Sequence, residues 1–70
     1  MARKLVELGQ RFREADKPRS LWEVEFLYND GHGVPHARLR NLLTKVDERT
    51  YSCSVIMDTK RFKPVVAETP

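Results

Sequence analysis

The fold turns on one stretch: Leu21-Trp22-Glu23-Val24-Glu25-Phe26-Leu27-Tyr28, then Asn29-Asp30-Gly31-His32-Gly33-Val34-Pro35, then His36-Ala37-Arg38-Leu39-Arg40-Asn41-Leu42. In the first segment Trp22, Val24, Phe26 and Tyr28 alternate with acidic Glu23 and Glu25. A strand sorts these residues onto two faces, whereas a helix scatters them. Asn29 to Gly33 is rich in residues that tolerate positive φ and reads as a turn. Pro35 lacks a ladder donor, so pairing beside it is expected to be incomplete. In the last segment Ala37 and Leu39 alternate with Arg38 and Arg40.

Folded as a hairpin, the two segments have one register that satisfies both faces. Glu25 opposes Arg38 and Glu23 opposes Arg40, while Phe26 opposes Ala37 and Val24 opposes Leu39. A slip of one residue breaks both sets. Each pair contributes roughly 0.2–1 kcal/mol, so the pairs choose the register more than they stabilise the fold.

Downstream, Thr44 to Thr50 is polar and reads as a loop. Tyr51 to Met57 reads as a strand, with Tyr51, Cys53, Val55 and Met57 alternating against Ser52, Ser54 and Ile56. Asp58 to Phe62 reads as a short turn of 3₁₀ type, because Asp and Thr cap freely. Lys63 to Val66 is a brief last strand, which Pro64 places at an edge. Ala67 to Pro70 is expected to fray.

Upstream, Leu5, Leu8, Phe12 and Ala15 lie near helical spacing, but Gly9 costs about 1 kcal/mol inside a helix. The favoured alternative is a turn at Glu7-Leu8-Gly9 and a strand from Gln10 to Glu14 with Phe12 inward. Asp16 to Ser20, containing Pro18, then becomes a long first loop. The resulting order predicts an all-β single domain over residues 1–70, with an ordered core at about 5–66. Its architecture is read as a small SH3-like barrel of about five strands with a short 3₁₀ turn before the last. An OB-like barrel, or an open sheet packed by an N-terminal helix, are the alternatives. The expected core is Phe12, Trp22, Val24, Phe26, Ala37, Leu39, Cys53, Val55, Phe62 and Val65.

Composition agrees with one small folded unit. Seventy residues with 40% hydrophobic content hold enough apolar surface for a core, and a single cysteine excludes an internal disulfide framework. A cytoplasmic setting is expected, since no apolar run approaches a membrane span and no apolar segment follows the basic N-terminus. Thirteen Lys and Arg against ten Asp and Glu leave a charge of +3, a mild bias toward polyanions.

Gly9-Gln10-Arg11-Phe12, Leu21-Trp22-Glu23-Val24, Gly33-Val34-Pro35-His36-Ala37-Arg38-Leu39 and Asp58-Thr59-Lys60-Arg61-Phe62 together resemble a family of small bacterial proteins of about this length. The Pro-His-Ala-Arg-Leu string is the most distinctive piece, and the likeness spans residues 5–66. It implies a bacterial source and brings no established activity with it.

Candidate sites are few. Asp30, His32 and His36 carry metal-ligand chemistry but lack a fourth ligand nearby, so no metal or cofactor is expected. His36 with Cys53 has no spacing that suggests a nucleophile and base, so the chain reads as non-enzymatic. The first functional reading is a protein-interaction or self-association module, acting through a barrel edge or outer face, with Leu27 and Ile56 as contacts. These two belong to the apolar residues left outside the core, with Leu21, Leu42, Leu43 and Val46. The alternative is nucleic-acid binding through Arg11, Arg13, Lys17, Arg19, Arg38 and Arg40, with Tyr28 or Trp22 stacking a base.

Overall fold

The computed structural model describes residues 6–65. The expected frayed tail over 67–70, and the roles given to Leu5 and Val66, lie outside the described residues. The chain forms strands β1 (Arg11–Glu14), β2 (Lys17–Asn29), β3 (Pro35–Asn41) and β4 (Glu48–Ser52), a single helical turn α1 (Cys53–Ile56), and β5 (Phe62–Val65). All neighbouring pairs are antiparallel and make one sheet in the order β4-β3-β2-β1-β5.

The N-terminal segment takes the strand alternative. Gly9, at φ 82°, turns the chain into β1, and Phe12 is buried. The long first loop is not present, because β2 already begins at Lys17 and pairs with Glu14. Ser20 explains why Pro18 does not break it. Its hydroxyl accepts from the Glu14 amide (2.8 Å) and donates to the Lys17 carbonyl (2.7 Å), replacing ladder bonds where the β1–β2 register shifts. Pro18 itself accepts from the Arg13 guanidinium through its carbonyl (2.7 Å).

The β2–β3 hairpin follows the expected register only over its inner half. Glu23 opposes Arg40 and Val24 opposes Leu39, but beyond Glu25 the pairing slips by one residue. Phe26 then opposes Arg38, and Leu27 opposes Ala37. Two constraints out of phase with each other cause the slip. At the loop, the Asp30 amide donates to the Val34 carbonyl and the Gly33 amide to the Asp30 carbonyl, both at 3.0 Å. Asp30 Oδ1 also accepts from the amides of His32 (2.8 Å) and Val34 (2.9 Å), with Gly33 at φ 77°. That loop puts Asn29 opposite Pro35, while the buried Val24–Leu39 pair needs the other phase. A bulge at Glu25 absorbs the difference. Phe26 is therefore not a core residue: it faces out, 48% exposed, and Leu27 turns in to pack on the core.

The C-terminal half departs further. β4 covers Glu48 to Ser52, taking residues expected in a loop, and the expected strand to Met57 is replaced after Ser52 by α1. Residues three apart share a helical face, so Cys53 and Ile56 both point inward. Ile56 is 1% exposed and Met57 43%, the reverse of strand alternation. A turn does follow at the expected place: the Asp58 carbonyl accepts from Arg61 (2.9 Å) and Phe62 (3.0 Å). β5 lies at the sheet edge with Pro64 in it, as expected.

Val6, Phe12, Trp22, Val24, Ala37, Leu39, Cys53, Ile56 and Phe62 make the core. Val6 and Ile56 were not expected there, Val55 packs at its margin, and Val65 is only half-buried. No ladder joins β4 to β5 among the described residues, so the sheet is open rather than a closed barrel. The two edge strands nevertheless meet through side chains. Tyr51 of β4 packs edge-on against Phe62 of β5 (centroids 5.3 Å apart), so the sheet curls around the core. Arg49 of β4 reaches Glu14 of β1 (3.5 Å) and lies over the Trp22 ring (5.1 Å), covering the same opening.

Candidate nucleic-acid interface

The bulge places two different groups against one arginine. Arg38 donates through Nε to Glu25 (3.1 Å), and its guanidinium carbon lies 5.2 Å from the Phe26 ring centre. One step along the hairpin, Tyr28 stacks on His36 with centroids 5.4 Å apart and ring planes 18° apart. Phe26 and Tyr28 are themselves 6.0 Å apart. The outer face of β2–β3 thus carries an exposed row of two rings, each backed from β3 by a cation or an imidazole.

His36 is held in place from below. Its Nδ1 lies 2.9 Å from the Val34 carbonyl, which can only accept, so Nδ1 carries the proton. The Asp30 carboxylate is 3.8 Å from the same nitrogen. Amide donors from Val34 and then His32 hold the Asp30 carboxyl below its ordinary range, with the His36 charge adding to this. A depressed carboxyl stabilises the fold above its unfolded pKa, and that contribution is lost as pH falls through the lower folded value. A carbon-13 titration of Asp30 should therefore give a midpoint below that of an ordinary aspartate. In Asp30→Asn the corresponding acid-side loss of stability should disappear; an ordinary midpoint would show the loop bonds to be absent in solution.

Arg38 is the one expected contact residue that the structure brings to the rings. Arg11, Arg13 and Arg40 share its face, since Phe12 and Leu39 between them point inward. Arg11 is ion-paired to Glu23 (3.2 Å). Among the described residues Arg13 and Arg40 hydrogen-bond to backbone carbonyls only, of Pro18 and Lys45. Lys63 of β5 sits opposite Arg13 and extends the basic flank. Lys17 and Arg19 are exposed at the start of β2, the end remote from Tyr28. Trp22, at 3% exposure, is a core residue and cannot stack a base.

Leu27 and Ile56 do not form the expected exposed pair, because Ile56 is in the core and Leu27 packs against it. Leu43 and Val46 are exposed, but in the segment between β3 and β4. Sequence reasoning missed Phe26, having placed it inside. The signal was the long Asp30–Val34 loop, which sets a pairing phase of its own.

His36 and Cys53 line a common apolar groove of about 340 Å³, together with Val6, Leu27, Tyr28 and Met57. Burial pushes the Cys53 thiol up, the opposite direction from an activated nucleophile. Among the described residues no three His, Cys, Asp or Glu side chains form a group suited to a metal ion. No helix among them is long and apolar enough to cross a membrane. Comparison with family models, with curated proteins and with solved structures found no match for this chain.

Proposed function

We propose that this chain is a non-enzymatic binding module of SH3-like architecture whose outer β2–β3 face binds nucleic acid. The observation that carries this reading is the exposed Phe26–Tyr28 row beside Arg38, with Arg40 next on the same face of β3. Aromatic faces stack on bases and guanidinium groups donate to phosphate oxygens, and the two occur here within one surface. The SH3-like assignment is supported by the strand order, the short helical turn between β4 and β5, and the Tyr51–Phe62 contact between the edges. A reducing cytoplasmic setting suits a module whose one thiol is buried and unpaired.

The protein-interaction reading loses the apolar patch on which it rested, since Ile56 is buried. The β5 edge is also a poor template for an added strand, because Pro64 offers no donor and Lys63 adds charge. β4 remains the edge available to a peptide or a second copy.

Fluorescence anisotropy with labelled single- and double-stranded oligonucleotides tests the proposal at ~50 mM and ~200 mM salt. Affinity for at least one form should fall steeply between the two, because displaced counterions accompany phosphate contacts. Binding that ignores salt, or no binding at the lower concentration, would discard it.

A further inference from the structure

We infer that the Phe26–Tyr28 row takes single-stranded rather than duplex nucleic acid, seating two consecutive bases; this rests on the nucleic-acid reading above. The ring centres are 6.0 Å apart. Successive bases along one strand of a duplex are only about 3.4 Å apart and cover each other's faces. Rings at the wider spacing match bases already drawn apart, which a paired helix does not offer. The rings are also ready for the task. Arg38 lies over Phe26 and His36 stacks on Tyr28, so each is braced from the β3 side before any ligand arrives. Among the described residues the aromatic and cationic neighbours of the two rings are each other, Arg38 and His36.

Charge placement favours the same partner. Glu23 and Glu25 run between the basic residues of β3 and those of β1, as their ion pairs with Arg11 and Arg38 record. A rigid duplex laid across this face would bring phosphates over both acids. A flexible strand can follow Arg38 and Arg40 along β3, with its bases turned onto the rings, and leave the acidic line uncovered. Because every base has a π face, binding should depend little on sequence.

The test uses the whole chain with a labelled oligothymidine, free or annealed to oligoadenosine, the two forms compared at matched salt and the titrations repeated over a salt series. The single strand should bind at least about tenfold more tightly than the duplex. Phe26→Leu and Tyr28→Leu should each weaken the single strand by on the order of 5- to 100-fold, the usual size of a lost base stack. Arg40→Gln should instead weaken both forms and lower the salt slope by about 1. Circular dichroism confirms that the variants fold, which their exposure leads one to expect. Equal or tighter duplex binding overturns the inference and leaves the nucleic-acid reading standing. No binding to either form overturns both. Sedimentation showing a dimer that Phe26→Leu dissociates would assign the row to contact between copies, and would overturn it as well.

Discussion

Trp22→Ala should leave this domain largely unfolded at room temperature. The indole is 3% exposed, it sits opposite Phe12 in the β1–β2 ladder, and Arg49 covers its face at 5.1 Å. Truncating a buried aromatic costs about 3–5 kcal/mol. A chain of this size has on the order of 3–10 kcal/mol of total stability. Loss of the ring also removes the contact that holds Arg49 over the opening between the sheet edges, so Glu14 and Arg49 would lie beside a water-filled gap. A urea titration should show little native baseline, or a thermal midpoint lower by more than about 12 °C. Trp22→Phe is the informative companion. It keeps a ring under Arg49 and gives up only bulk and the long Nε1 contact to Glu14 (3.4 Å), so it should fold with a smaller loss. Near-native stability of Trp22→Ala would mean that Trp22 does not anchor the sheet.

Why Trp22 was legible and Phe26 was not is a matter of phase. Alternation with a period of two assigns faces correctly as long as no residue is inserted or skipped. From Trp22 to Val24 nothing intervenes, and Arg40 and Leu39 oppose their expected partners. At Glu25 one extra residue enters, and every later side chain of β2 changes face relative to simple alternation. Only the hydrogen bonds of the Asp30–Val34 loop show that the far end of the hairpin keeps a different count. The same slip that defeats the reading of Phe26 as core creates the exposed ring row. Arg38 was placed correctly because it opposes the bulge itself, and both of its neighbours, Glu25 and Phe26, reach it.

Two other departures have local causes that periodicity does not report. Pro18 reads as a loop marker, yet the hydroxyl of Ser20 supplies bonds that the shifted ladder lacks. After Ser52 the chain leaves the sheet, because one helical turn lets both Cys53 and Ile56 reach the core where a strand would bury only one of them. Tyr51, by contrast, fits either description. It belongs to β4, touches Phe62 and packs against the core, although the expected core did not include it.

That last departure gives the second large effect, and the residues on which it turns are adjacent. If Cys53–Ile56 is helical, Ile56→Ala opens a cavity among side chains as buried as Val24 and Leu39, and should cost about 2–5 kcal/mol. Met57→Ala, at a position 43% exposed, should cost within about 0.5 kcal/mol. A strand through the same residues demands the opposite order, with Met57 inward beside Cys53 and Val55 and Ile56 in water. Urea midpoints of the two variants therefore decide between the geometries without a further structure. A costly Met57→Ala and a silent Ile56→Ala would return Ile56 to the surface, restore it as a candidate protein contact, and revive the edge-binding reading at the expense of the aromatic row.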